Sequence, residues 1–568
     1  MKTQNKNFNT KLLTLLNIIF FYLTFVYIYL FHNSFQDPDY YFYSTYIDYF
    51  FNLTPKSNID LGVLYYFLVS FFIGLSENLI STYTYEFVIS NSILITNFLL
   101  YGFGLLGLFK FLLIRKFNKN NILFFIFFLN FFPMTITMRI FFKPEILFFT
   151  LLCWILYLIE SYLNTKQKIL ILPISFGIAL VASTKATFAI YIVAILIYYL
   201  ISNFQHISKF DLITSICFAL IIFFVLNYEN YSINGQTMIL SNSERQTIED
   251  YQNIASKEFF FGFNFNDFIR YPYSVKWKNN FFQIILADPF SDYFRVTFLS
   301  DSSLINKLNF VESLFKNKFL IFLFKNFFGY FSIIIMLTYY SFLIFNFKKI
   351  KRDRFLIYSP IIGLLTLTIH SFGVPFKNFD PSVGDTFKTI YYSPLLIISI
   401  ILLLNYIFKN LGIKQLLYFS FLVLVLVFQL GFPKEEVING KQLQYFQLKN
   451  TSSITCNLSN IFIPKNYKSN CENVVNYCGI SARFMKKEID QNGNIVFYKD
   501  DNFKEIPLIN NSKIIKMPKG FEECYYYLEN NFYNPYSLNL IKIPNINLSV
   551  FLIFVLMCLI VFFKKFSD

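Results

Sequence analysis

Two aspartates stand one residue apart, Asp37 and Asp39, in the stretch NSFQDPDYYFYSTY (Asn33–Tyr46), just beyond the first apolar run of the chain. A carboxylate so placed can accept the proton of a hydroxyl as that hydroxyl attacks an electrophile. Further polar residues recur beside later apolar runs. MRIFFKPEIL (Met138–Leu147) supplies Arg139, Lys143 and Glu145; VASTKATFAIYIV (Val181–Val193) supplies Lys185; GVPFKNFDPSVGDTFKTIYYSPLL (Gly373–Leu396) supplies Lys388 and Tyr391. Lysine and arginine stabilise a departing anion through charge-assisted hydrogen bonds. A proton acceptor and a set of anion-holding cations at one level are the parts needed to displace an anionic leaving group.

Singly, each residue has a plainer reading. Lys185 can snorkel to lipid headgroups, and Glu145 can complement the positive end of a helix that Pro144 opens. Asp37–Pro38 is turn chemistry, and Tyr391 suits a membrane interface. The argument rests on their shared level. His32, His206 and His370 are scattered and form no ligand pair.

The elements that set this level follow from composition. Of 568 residues, 55% are hydrophobic and 21% aromatic, with 79 Phe, well beyond what a soluble core requires. Apolar runs fall near 12–31, 91–114, 122–138, 145–162, 169–184, 187–203, 211–228, 318–346, 355–372, 391–408, 415–431 and 549–563. Scanned with a window of roughly 19 residues, they predict about twelve spans. Lys and Arg collect in alternate loops, the largest group being KKIKRDR (Lys348–Arg354), which puts both chain ends on the cytoplasmic side. The net charge of +15 therefore reads as loop topology, with no call for nucleic acid. The first run follows Lys2, Lys6 and Lys11 and reads as a retained span.

LGVLYYFLVSFFIGL (Leu61–Leu75) is shorter than a span and is expected to be an interfacial or re-entrant helix on the membrane, within an outside loop at 32–90. A second outside loop covers 229–317. Residues 433–547 form an extracytoplasmic domain with a hairpin expected around Asn492–Gly493, and 548–568 a terminal helix with a basic cytoplasmic end. Cys456, Cys471, Cys478 and Cys524 all lie in that domain, which points to two disulfides. Zinc is the competing reading, but the domain has no histidine and no CxxC pair.

In order and context these motifs resemble membrane glycosyltransferases of the GT-C superfamily, particularly the bacterial relatives of the dolichyl-phosphate-mannose protein mannosyltransferases and the aminoarabinose transferases. Those enzymes carry an acidic motif after the first span, then an apolar juxtamembrane segment that LGVLYYFLVSFFIGL resembles. A turn ending Arg/Lys-Pro-Glu/Asp opens a helix, as FKPEILFFTLL does here; a Thr-Lys stretch is similar to GIALVASTKATF (Gly177–Phe188); a late basic-aromatic-Pro element is similar to FKTIYYSPLLI (Phe387–Ile397). The acidic motif here reads Asp-Pro-Asp, so either aspartate can hold the catalytic place. Lys388 with Tyr391 stands where those enzymes carry Arg-Tyr.

The resemblance, which covers roughly residues 10–410, implies the GT-C type. With the hydropathy reading, the expected fold is an all-α polytopic membrane protein of about twelve transmembrane helices, with extracytoplasmic loops and a small C-terminal extracytoplasmic α/β domain that the resemblance does not cover. The resemblance implies an integral membrane glycosyltransferase of the bacterial inner membrane, with its active site on the extracytoplasmic side. The donor would be a polyprenyl-phosphate sugar and the acceptor a glycan, lipid or protein. Asp37 or Asp39 would be the base, and Arg139, Lys143, Glu145, Lys185, Lys388 and Tyr391 would bind substrate. No cofactor is required; a divalent metal held by Asp37 and Asp39 is the lesser alternative. Two rivals stay open: a lipid-linked glycan polymerase or ligase, and a transporter or flippase of a lipid-linked sugar, which would gather its polar groups nearer the bilayer midplane.

Overall fold

The computed structural model describes residues 2–31, 43, 46–47, 49–51, 61–76, 85–185, 188–203, 207–234, 281–282, 285–286, 289, 333–345, 354–373, 389–407, 435–438, 441–444, 473–476, 485–489, 495–499, 504–505, 513–516, 525–529 and 546–564. Asp37, Asp39, Lys388, the expected span at 415–431 and the four cysteines of 433–547 lie outside the described residues.

Runs of Phe, Ile and Leu in lipid have no water to satisfy their backbone, so they close their hydrogen bonds internally as helices. These are α1 (Lys2–Phe31), α2 (Leu64–Ser76), α3 (Tyr85–Ile114), α4 (Lys119–Phe131), α5 (Pro133–Ile140), α6 (Glu145–Thr165), α7 (Ile171–Thr184), α8 (Phe188–Asn203), α9 (Lys209–Asn234), α10 (Ile333–Phe345), α11 (Arg354–Gly373), α12 (Ser393–Ile407) and α13 (Ile546–Lys564). Among the described residues, five helices are long and apolar enough to cross a membrane: α1, α3, α6, α9 and α13. The bent pair α4 and α5 makes a sixth if it is one span. The chain is a predominantly helical, multi-pass membrane protein.

Helix α6 is the hub, buried from Glu145 to Tyr162. It meets α3 closely because α3 carries glycine where the two cross. A Cβ on Gly104 would stand 3.1 Å from Cα of Thr150, and one on Gly107 3.0 Å from the Trp154 ring. Small residues permit this approach, and polar side chains then fasten it. The Thr150 hydroxyl donates to Leu100 O at 2.7 Å and the Trp154 indole to Phe103 O at 2.9 Å. On the outer side of the bundle, Leu12, Leu15, Ile19, Tyr22 and Val26 of α1 and Phe210, Ile213, Phe224 and Tyr228 of α9 are exposed, as a lipid-facing surface requires.

The expected single span at 122–138 is broken. Pro133 lacks the N–H that would bond Leu129 O, and the axis turns by 59° between α4 and α5. The freed carbonyls are satisfied locally: the Phe132 N–H and the Thr135 hydroxyl donate to Leu129 O, and Arg139 Nη2 donates to Asn130 O at 2.6 Å.

Helix α2, at 13 residues, is about 20 Å long, too short for a hydrocarbon core of about 30 Å. Residues 62–70 are buried against the bundle, and among the described side chains of the helix only Phe71 and Leu75 are well exposed. A helix resting on a membrane surface would turn a whole face outward; this one is packed into the helical body.

The segment at 435–529 is described through its strands. β1 (Glu435–Ile438) pairs with β2 (Lys441–Gln444). β3 (Asn473–Asn476), β7 (Lys513–Lys516) and β8 (Tyr525–Glu529) form one antiparallel sheet, and β4 (Met485–Ile489), β5 (Ile495–Lys499) and β6 (Lys504–Glu505) another. β4 and β5 pair with Ile489 opposite Ile495, on either side of Asn492–Gly493. Among the described residues of this stretch the elements are all strands, where a mixed α/β composition was expected.

Candidate functional site

Three of the expected residues meet at one end of the bundle. Glu145 is the first residue of α6, following Pro144, so its carboxylate stands at the positive helix end. Lys185 follows the last turn of α7 in extended conformation, and the Phe188 N–H closes back onto its carbonyl at 2.9 Å. From that turn the Lys185 ammonium reaches Glu145 Oε1 at 2.9 Å and lies 4.3 Å from the centre of the Tyr391 ring. Tyr391 closes a short 3-10 turn, Thr389–Tyr391, before α12, and the Tyr191 hydroxyl of α8 donates to its carbonyl at 3.1 Å. Glu145 is fully buried and the Lys185 side chain is 17% exposed, so of the ion pair it is the lysine that reaches toward the surface.

The turn that carries Lys185 is clamped from below. The Gly62 N–H donates to Thr184 O at 3.0 Å, and Asn230 of α9 bridges Val63 N–H and Ser183 O, both at 3.2 Å. A Cβ on Gly62 would stand 1.9 Å from Ser183 O, so only glycine permits the contact. Tyr46 completes the clamp: its hydroxyl donates to Leu61 O at 2.5 Å and accepts from Leu61 N–H at 3.1 Å.

Beside this cluster lies an aromatic wall. The Tyr66 ring stacks on Tyr46 at 4.5 Å and meets Phe142 edge-on at 5.3 Å, while Tyr43 is 5.9 Å from Tyr66 and 6.1 Å from Phe142. The Lys143 ammonium is buried here, 5.9 Å from the Tyr43 ring centre. Burial first, then Tyr43, Tyr46, Tyr65 and Glu145, push the Tyr66 hydroxyl well above the usual phenol range, so it stays a donor. A phenol inside the apolar run LYYFLVSFF gave no periodic signal that would single it out; its partners are brought to it only by the fold.

Arg139 does not join the group. Its guanidinium is buried, with Nε on Thr135 O at 3.1 Å, Nη1 on the Thr24 hydroxyl at 3.1 Å and Nη2 on Asn130 O, over the Tyr101 ring at 4.6 Å. The structure uses it to hold the Pro133 bend and join it to α1, work that the expected anion-binding role did not foresee. Asp37, Asp39 and Lys388 lie outside the described residues, so the base and the second lysine are without described geometry. Among the described residues no group of three His, Cys, Asp or Glu could hold a metal ion.

At the opposite end of α6 is a second ionic cluster that the sequence reading passed over. Arg115 is buried and lies 3.5 Å from Glu160 Oε1. The Tyr198 hydroxyl donates to Glu160 at 2.9 Å and accepts from Arg115 Nη1 at 3.0 Å. Nearby the Tyr162 hydroxyl donates to Asp211 at 2.6 Å. Comparison with models of known protein families and with curated proteins finds no match for the chain.

Proposed function

We propose that the chain is an integral membrane glycosyltransferase that moves a sugar from a polyprenyl-phosphate donor to an extracytoplasmic acceptor. The observation that carries the reading is the meeting of Glu145, Lys185 and Tyr391 at one end of the bundle, with the lysine the less buried member of the ion pair. A lipid-linked donor keeps its tail in the bilayer and its phosphate at headgroup level, where such a cation is useful. Tyr43, four residues beyond Asp39 in sequence, packs on Tyr66 and Phe142, and this supports bringing the acidic motif into the reading.

In this reading Asp37 or Asp39 takes the proton of an acceptor hydroxyl as its oxygen attacks the anomeric carbon. The bond from that carbon to the phosphate oxygen breaks, and the phosphate leaves with the electron pair, stabilised by Lys185 and Lys388. A single displacement inverts the anomeric centre. The wider frame is part of the proposal: a GT-C type architecture of about twelve spans in a bacterial inner membrane, with a glycan, lipid or protein acceptor outside.

The test is transfer of radiolabelled sugar from a panel of polyprenyl-phosphate monosaccharides in membranes holding the wild type, Asp37→Asn or Asp39→Asn. One aspartate variant should lose transfer at unchanged protein level, which also chooses between the two. Full transfer by both removes the base. Transfer from none of the donors returns the question to the polymerase and transporter readings.

A further inference from the structure

Two polar atoms at this end of the bundle are buried and have no hydrogen-bond partner among the described residues: Oε2 of Glu145 and the hydroxyl of Tyr66. Both residues are wholly buried. Phe142, three residues before Glu145, carries the Tyr66 contact at 5.3 Å, and Tyr43 and Tyr46 close the aromatic side. The other Glu145 oxygen is held at 2.9 Å by Lys185. A native interior rarely leaves a buried carboxylate oxygen or a buried phenol unmatched, because each forfeits its hydrogen bonds to water.

The chemistry of the pair selects a ligand. A carboxylate oxygen only accepts, which repels phosphate; a phenol donates and accepts; a hydrocarbon would satisfy neither. Adjacent hydroxyls of a sugar do both, and the apolar C–H face of a sugar ring suits an aromatic wall. Resting on the transferase reading, we propose that Tyr66 and the second oxygen of Glu145 form a polyol subsite that holds the hydroxyls of a sugar ring, with Tyr43 and Phe142 as its wall. Lys185, on the other oxygen of Glu145, then divides the work: phosphate at the ammonium, sugar at the carboxylate and phenol. Tyr66 becomes a specificity-determining residue.

The sugar could belong to the donor or to a glycan acceptor, and binding assays separate the two. The full chain in lipid nanodiscs is titrated with radiolabelled polyprenyl phosphate, with polyprenyl-phosphate monosaccharides, and with methyl glycosides that lack phosphate, for the wild type, Tyr66→Phe and Glu145→Gln. Tyr66→Phe should hold bare polyprenyl phosphate within about twofold of wild type and weaken a sugar probe about tenfold, the worth of one buried hydrogen bond. Loss on the lipid-linked sugars assigns the subsite to the donor; loss on the methyl glycosides assigns it to the acceptor. Either supports the proposal. Equal weakening of the probes with and without sugar, or no change on any probe, overturns it. Should Tyr66→Phe lower the thermal midpoint, Glu145→Gln is read by the ratio of sugar-probe to bare polyprenyl-phosphate affinity, since it also touches Lys185: a fall in that ratio supports the subsite and an unchanged ratio overturns it. If the wild type binds no sugar probe, the transferase reading falls with the subsite; if it binds sugars and both variants match it, the subsite alone falls.

Discussion

The carboxylate of Glu229, in α9, accepts the backbone N–H groups of Ile546 and Asn547, both at 2.7 Å, and so caps a helix that begins 317 residues later in the chain. The Asn547 side-chain amide also donates to Glu229 and to Leu226 O. A helix start normally finds its cap one or two residues upstream; α13 finds it on another helix. Replacing Glu229 by alanine should cost about 2–3 kcal/mol, since three charge-assisted bonds are lost and buried donors are left unmatched. Thermal midpoints in detergent, read by fluorescence-detected size exclusion, would report it. A Glu229→Ala chain as stable as wild type would mean that α13 does not depend on this cap.

The Arg115, Glu160 and Tyr198 cluster makes a second prediction. Removing one charge from a buried pair strands the other, at a cost of about 3–5 kcal/mol, whereas an apolar replacement of both is often neutral. Glu160→Leu and Arg115→Met should each destabilise strongly, and the double variant should be more stable than either single one. Additive losses in the same thermal assay would count against a coupled pair.

Lys185 and Glu145 invite the same logic with a different readout. Lys185→Met should lower sugar transfer about 10²–10³-fold, the range for losing one group that stabilises developing negative charge, and should also destabilise by leaving Glu145 unpaired. Adding Glu145→Gln should restore much of the thermal midpoint and none of the transfer. Recovery of both together would make the pair purely structural.

Gly62→Ala tests the clamp under the Lys185 turn. The new methyl would meet a backbone oxygen at 1.9 Å, and backbone cannot step aside as a flexible side chain can. Overpacking of this kind costs about 1–3 kcal/mol or more, and the strain falls on Ser183 and Thr184, so both stability and transfer should drop. Unchanged behaviour would show that α2 and α7 are not in register as described.

The level at which Glu145, Lys185 and Tyr391 meet was readable because each is polar at the edge of an apolar run, and hydropathy locates such edges well. What consumed Arg139 was less visible. Pro133 was in plain sight, but a hydropathy window runs through a proline, so the carbonyls it frees, and the guanidinium they recruit, came to light only with the bend. Tyr66 lies inside an unbroken apolar run and becomes interesting only through Phe142 and Glu145. The Glu229 cap has no local signature at all, since its partner is specified hundreds of residues away. Lys110, over the Phe562 ring at 4.0 Å, is of the same kind.

The notch at Gly177 carries these distances into time. A Cβ there would press to 2.6 Å on Ile155 and 2.9 Å on the Phe554 ring, so α7 is shaped to receive α13. Glu229 and its partner helix are separated by 317 residues, which a ribosome adding about 5–20 residues per second traverses in roughly 15–60 s. During that interval α7, α9 and α2 stand in the membrane with a vacant seat between them. The newborn bundle must keep lipid and stray helices out of it, and the chain passes through a lengthy adolescence before its last wall is set.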